Sequence, residues 1–179
     1  MTQLITTRLI LRIITTTDTL NYVAFEERNK DHFTSWSPAQ QFSHDEYQNL
    51  IDTWVRDGQQ GNSARFFLFL KDDAQEQIIG MCNFSNIIRG PFQACYLGYK
   101  IDHAYEGKGL MFEALQSAIA YMFDEQNLHR IMANYMPINI RSGKLLQRLG
   151  FSIEGEAKKY LLINGIWADH ILTSLINPT

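Results

Sequence analysis

The stretch Ile101-Asp102-His103-Ala104-Tyr105-Glu106-Gly107-Lys108-Gly109-Leu110-Met111 limits the possible folds more than any other part of the chain. It follows a run of strand character, Ala94 to Ile101, and opens Gly109 to Phe123, where Leu110, Ala114, Leu115, Ala118, Ile119 and Met122 share one helical face. Arg130 to Tyr135 then returns as a strand. A strand, a glycine loop, a helix and a second strand form a crossover unit, which implies two parallel strands. The loop also suits an anion. Gly107 and Gly109 lack a Cβ, so the backbone can approach a phosphate, and the first N–H groups of the helix have no partner within it. Lys108 adds a cation. A plain strand-to-helix turn would use the same glycines. Two better-known phosphate loops do not fit: no G-x-x-x-x-G-K-[ST] is present, and Phe112 stands where a dinucleotide loop needs its third glycine.

The rest of the chain surrounds this unit with antiparallel elements. Arg8 to Ile13 reads as a first strand, Asp18 can cap a helix reaching about Arg28, and His44 to Asp57 repeats Tyr47, Leu50, Ile51, Trp54 and Val55 at helical spacing before closing at Gly58. Phe66 to Leu70 and Gln77 to Asn86 are the second and third strands, and with Ala94 to Ile101 as the fourth they form a meander. After the fifth strand, Ile140 to Leu149 is a helix ending at Gly150, Phe151 to Glu154 is strand-like, and Lys158 to Ile163 with Trp167 to Ile176 forms a hairpin turned by Asn164-Gly165. The expected fold is α+β: one domain over residues 1–179, with a mixed, mostly antiparallel sheet flanked by helices and a parallel, splayed pair at the fourth and fifth strands. A net charge of −3 without a long Lys/Arg block argues against nucleic-acid binding by bulk charge. The longest wholly apolar run, Phe66 to Leu70, is far too short for a membrane span, and Thr6, Thr7 and Arg8 interrupt any leader, so a cytoplasmic protein is expected. Cys82 and Cys95 fall inside strand-like runs, as buried thiols would, with an acyl-carrying thiol as the alternative. The histidines lack metal-ligand spacing, so no metal is expected.

The glycine loop resembles the acetyl-CoA pyrophosphate loop of the GNAT N-acetyltransferase superfamily, [R/Q]-x-x-G-x-[G/A]: Gly109 matches, Glu106 stands in the Arg/Gln place and Met111 replaces the last small residue. Asn134-Tyr135-Met136-Pro137-Ile138-Asn139-Ile140-Arg141-Ser142, followed by Leu146, Leu149, Gly150 and Phe151, resembles the N-x-x-S…L-x-x-x-G-F pattern of the RimJ/RimL branch. Thr7 to Arg12, Asn29 with Phe33, Trp36 and Pro38, and Asn83-Phe84-Ser85-Asn86 extend the likeness over about Thr7 to Ile176. Cys95 to Tyr99, Gly107 to Leu115 and His129 to Tyr135 are worded most like its RimJ side.

The resemblance implies acetyl transfer from acetyl-CoA to the N-terminal α-amine of a protein, an alanine-starting ribosomal protein on the RimJ side. It implies a cofactor site at Tyr99, Ile101, Glu106, Gly107, Lys108, Gly109, Leu110, Met111 and Asn139, with Ser142 near the sulfur as proton donor. Helix capping accounts for Asn139 and Ser142 equally well. Phe33, Trp36 and Tyr160 are expected to line the acceptor side, and the expected state is a monomer or weak dimer without membrane or direct nucleic-acid contact. The glutamate base of RimL-type members has no counterpart, Leu161 standing there. Candidates for its role are Asp102, His103 and Glu106, or the backbone with Asn83, Ser85 or Tyr96 acting through ordered water. The alternatives are a small-amine acetyltransferase, acting on an antibiotic or a polyamine, and a CoA-binding module without turnover.

Overall fold

In the computed structural model, which describes residues 2–34, 42–74 and 76–178, the strands form one mixed sheet. They are β1 (Gln3–Ile5), β2 (Leu9–Ile13), β3 (Ala64–Leu70), β4 (Gly80–Ile88), β5 (Ala94–Ile101), β6 (Arg130–Met132), β7 (Ser152–Ile163) and β8 (Ile166–Ile176), in the order β1-β2-β3-β4-β5-β6-β8-β7. Among the described residues only β5 and β6 pair in parallel. The helices are α1 (Thr19–Arg28), α2 (Lys30–Phe33), α3 (His44–Gln59), α4 (Leu110–Asp124) and α5 (Ile140–Arg148). No helix among the described residues is long and apolar enough to cross a membrane.

The sequence of β3, Ala-Arg-Phe-Phe-Leu-Phe-Leu, explains the layering. Successive side chains of a strand point to opposite faces. Phe66 and Leu68 enter one core with Leu115, Ala118 and Met122 of α4, while Phe67 and Phe69 enter the other with Tyr22 and Phe25 of α1 and Ile51 of α3. Both faces of the central strands are therefore covered, which is why they read as unbroken apolar runs rather than as alternation.

Several expectations needed correction. β1 is an additional strand, registered Gln3 to Arg12 on the edge of β2; three residues are too few for periodicity to show. The connection after α1 contains the single turn of α2. β7 runs unbroken from Ser152 to Ile163, absorbing the separate strands expected there, because shifts in register keep it paired with β8. Asp18 precedes α1 but does not cap it with its side chain; its carboxylate instead holds Thr15 N at 2.7 Å and the guanidinium of Arg12, which keeps Asp18 below the usual carboxylate range despite burial. The C-terminus of α5 agrees with the reading: Gly150 (φ 91°) follows the helix, its N–H donating to Gln147 O and that of Phe151 to Leu146 O.

The feature that makes the site is the length of β6. It pairs with β5 only from Ala94↔Arg130 to Tyr96↔Met132. The chain then turns to β8, through Ala133 N to Thr173 O and the Tyr135↔Ile171 bridge. From Leu97 to Ile101 β5 has β4 on one side and no strand on the other, so the sheet splits.

Candidate active site

The split opens a cleft of about 790 Å³ that passes through the sheet. Its lining draws on both cores: Leu110, Met111 and Leu146 from the α4 side, Phe33 and Met81 from the α1 side. A ligand entering on the face of α4 and α5 would thus meet one approaching from α1 and α2 between the separated strands.

On the α4 face stands the glycine loop. Gly107 (φ 71°) and Gly109 (φ 75°) both adopt the left-handed conformation, and Gly109 immediately precedes α4. The backbone N–H groups from Gly107 to Phe112 find no acceptor among the described residues. A row of free donors at the positive end of a 15-residue helix is the arrangement that binds a pyrophosphate. Arg8 supports the loop from below, donating to Lys108 O at 2.9 Å and pairing with Glu113 at 2.7 Å. Lys108 is exposed, and its Nζ is turned back to Ala104 O at 2.9 Å.

Glu106, in the place where the resemblance expects Arg or Gln, is an ion-pair hub. Its Oε2 accepts from Arg141 Nη1 at 2.6 Å, His32 Nε2 lies 3.1 Å from Oε1, and His103 Nδ1 lies 3.5 Å from Oε2. His32, His103 and Glu106 are of metal-ligand type and lie close together, but Arg141 already supplies a cation to Glu106. Arg141 also belongs to a stripe that the sequence reading missed. Arg141, Lys144 and Arg148 repeat at helical spacing along α5, all three line the cleft, and the Arg148 guanidinium lies 4.4 Å over the Phe112 ring. Their spacing was the available signal. These cations could hold the phosphates of acetyl-CoA. Replacing all three with alanine should weaken acetyl-CoA binding between about tenfold and about 100-fold, since each exposed cation contributes on the order of 1 kcal/mol or less. The deficit should shrink as salt rises, which titration calorimetry at two ionic strengths would check.

Deeper in the cleft the hydroxyls of Tyr99 on β5 and Ser142 on α5 are 2.6 Å apart. Burial pushes the Tyr99 phenol up to about 12, the bond to Ser142 opposing that rise. Ser142 thus sits beside a group that keeps its proton across the whole working pH range. Asn139 caps α5, its Oδ1 accepting from Ser142 N at 3.1 Å, so its side-chain oxygen holds the helix while Asn139 also lines the cleft. Ile101 lies at the open end of β5 and lines the cleft too.

On the other face, Phe33 lines the cleft but is 7% exposed; its ring lies 5.2 Å from that of Phe25, and Lys100 Nζ stands 4.9 Å above it. Trp36 lies outside the described residues. Tyr160 is joined to the site through Asn134, whose Nδ2 donates to its hydroxyl at 3.2 Å. Asp102 is a structural clamp: nearly buried, paired with Arg28 Nε and accepting from Ala104 N, it is held below the usual carboxylate range although burial opposes this. Both cysteines are fully buried, and burial raises both thiols, Cys95 to about 12, which denies them the thiolate an acyl carrier needs.

A split sheet with a free donor loop at the helix that follows the split strand defines an acyl-CoA-dependent transferase. The chain belongs to the GNAT acetyltransferase domain family, whose model matches residues 8–152, and its co-substrate is acetyl-CoA. It is 47% identical to the [ribosomal protein uS5]-alanine N-acetyltransferase of Escherichia coli (strain K12), over 98% of this chain and 91% of that one. The crystal structure of ribosomal-protein-S5-alanine acetyltransferase from Vibrio fischeri superposes with a TM-score of 0.93 at 39% identity, covering 99% of this chain and 98% of the other. Mycobacterium smegmatis RimJ, solved with CoA-disulfide, shares the fold at TM-score 0.87 and 23% identity, over 96% of this chain and 84% of that one.

Proposed function

We propose that the protein acetylates the N-terminal α-amine of a protein, an alanine-starting ribosomal protein, in the cytoplasm. The observation that carries this reading is the cleft through the sheet, with a loop of unpaired backbone donors on the α4 face and an opening toward α1 and α2 on the other. The substrate named for the relatives from E. coli and V. fischeri supports the choice of protein.

Acetyl-CoA supplies an activated acetyl thioester. The chain's own tasks are then to hold the phosphates at Gly107 to Phe112 and the α5 cations, to leave the β5 edge from Leu97 to Ile101 open for an extended ligand arm, and to hold a proton at Ser142 for the departing sulfur. A strong base is not required. An α-amine with pKa ~8 is roughly one tenth neutral at pH 7, whereas a lysine amine with pKa ~10.4 is neutral in well under a thousandth of molecules. Selectivity is assigned to the segment Asn29 to Pro38, with Phe33 and Trp36, and to the β7–β8 hairpin with Tyr160.

The test is coenzyme A release with a panel of acceptors. Peptides beginning with alanine should be turned over at least tenfold faster than N-terminally blocked lysine peptides or polyamines. Equal rates on the blocked peptides would move the assignment to a lysine or small-amine acetyltransferase. Binding of acetyl-CoA without release on any acceptor would identify a module without turnover.

A further inference from the structure

Asn83 is an unexplained polar side chain in the wall of the cleft. It sits on β4 directly opposite Gly98 of β5, within the stretch where β5 has lost its partner on the other side. Its Oδ1 is buried and has no hydrogen-bond partner among the described residues. A buried carbonyl oxygen left unpaired is costly, so such an atom in a ligand cleft calls for a donor from the ligand. The neighbouring strand is open there: apart from its chain neighbours, no atom of the described residues lies within 4 Å of where a Cβ on Gly98 would stand. Glycine at position 98 therefore leaves β5 open directly across from Asn83.

The face of the sheet selects between the two ligands. Strand alternation places Asn83 with Met81 and Lys100, and Met81 packs in the α1–α3 core with Phe33. Tyr99, one residue beyond Gly98, points the other way, to Ser142 and the α4–α5 face. Asn83 is thus on the acceptor side of the split. Resting on the acyl-transfer reading above, we infer that Asn83 Oδ1 accepts a hydrogen bond from the acceptor amine and aims its nitrogen at the open edge of β5.

The residue type fits this task better than a carboxylate. An amide oxygen accepts N–H donors without charge, whereas an aspartate would favour the ammonium form and raise the amine's pKa, working against the neutral nucleophile. The charged and titratable groups on this side are already engaged. Lys100 pairs with Glu26 of α1 at 2.6 Å, His32 of α2 pairs with Glu106, and Tyr96 is neighboured by Tyr160, burial and that neighbour both raising its pKa.

Three variants of the full-length protein test this. Asn83→Ala should raise KM for an alanine-starting peptide, or lower kcat/KM, by about 10- to 100-fold, with the Kd for acetyl-CoA within about twofold of wild type and an unchanged melting curve. Asn83→Asp should bind the peptide again but move the rising limb of the pH–rate profile to higher pH, a shift that a purely structural role would not produce. Gly98→Val, which places a side chain in the open space across from Asn83, should block the peptide more than acetyl-CoA. Unchanged peptide kinetics in Asn83→Ala, an equal loss of acetyl-CoA affinity, or an Asn83→Asp profile that superimposes on wild type would each overturn the inference. If wild type proves to act on another amine and not on α-amine peptides, the proposed function fails, and the Asn83→Ala effect measured on that amine still decides the role of Asn83.

Discussion

Replacing Gly109 with valine should reduce acetyl-CoA affinity about 100-fold or more while the protein remains folded. Gly109 sits at φ 75°, a region that a β-branched residue occupies only under strain of about 1–3 kcal/mol. Within the protein a Cβ there would have room, since its nearest contact within 4 Å is Arg8 Nη2 at 3.6 Å. The harm therefore falls on the ligand side. Either the new side chain blocks the pyrophosphate, or the loop relaxes to a negative φ and scatters the free N–H groups from Gly107 to Phe112. Strain of this size corresponds to a fall of roughly 3–10 °C in melting temperature. Calorimetry with acetyl-CoA and a thermal melt separate the two effects, and undiminished affinity would remove the loop from the cofactor site.

Removing the Ser142 hydroxyl should lower turnover about 100-fold without a comparable loss of acetyl-CoA affinity, the low end of what a positioned acid contributes. The variant should fold, because Asn139 caps α5 through the backbone N–H of residue 142 and not through its side chain. Tyr99 and Ser142 form a hydroxyl pair at 2.6 Å, and the Tyr99 phenol, pushed to about 12 by burial, keeps its proton at every pH at which the enzyme would work. The sign of the pH dependence follows. The group that must stay protonated loses its proton only near 12, whereas an α-amine must lose its own near ~8. The rate at low substrate should therefore rise to about pH 8 and stay level beyond pH 9, with no falling limb from the acid. Unaltered turnover of Ser142→Ala where chemistry limits the rate would reduce Ser142 to a residue of the first helical turn.

The parts of the fold that were legible in the sequence are those set by local rules. The periodicity of α4, the Asn164-Gly165 turn and Gly150 after α5 all report on a few adjacent residues, and all are found where that logic puts them. The parts that were not legible depend on tertiary partners. Three residues of β1 become a strand only because β2 offers an edge, and β7 continues through irregular register because β8 holds it. The same division runs through the site. The free donors at Gly107 and Gly109 follow from residue type and conformation. The contacts of Glu106 with Arg141 and His32, which join α5 and α2 to the loop across 35 and 74 residues of chain, have no local signature. Neither does the unpartnered oxygen of Asn83, whose meaning comes from a glycine on the neighbouring strand.

The central claim is that the cleft delivers acetyl to an α-amine, and it is tested most directly by one competition within a single molecule. An alanine-starting peptide carrying an internal lysine is incubated with the protein and acetyl-CoA at pH 7, and the acetylated nitrogen is located by fragment mass spectrometry. The account predicts acetyl on the N-terminal nitrogen, in excess over the lysine by a factor on the order of 100, as the neutral fractions of the two amines require. Acetyl found predominantly on the lysine nitrogen would contradict it.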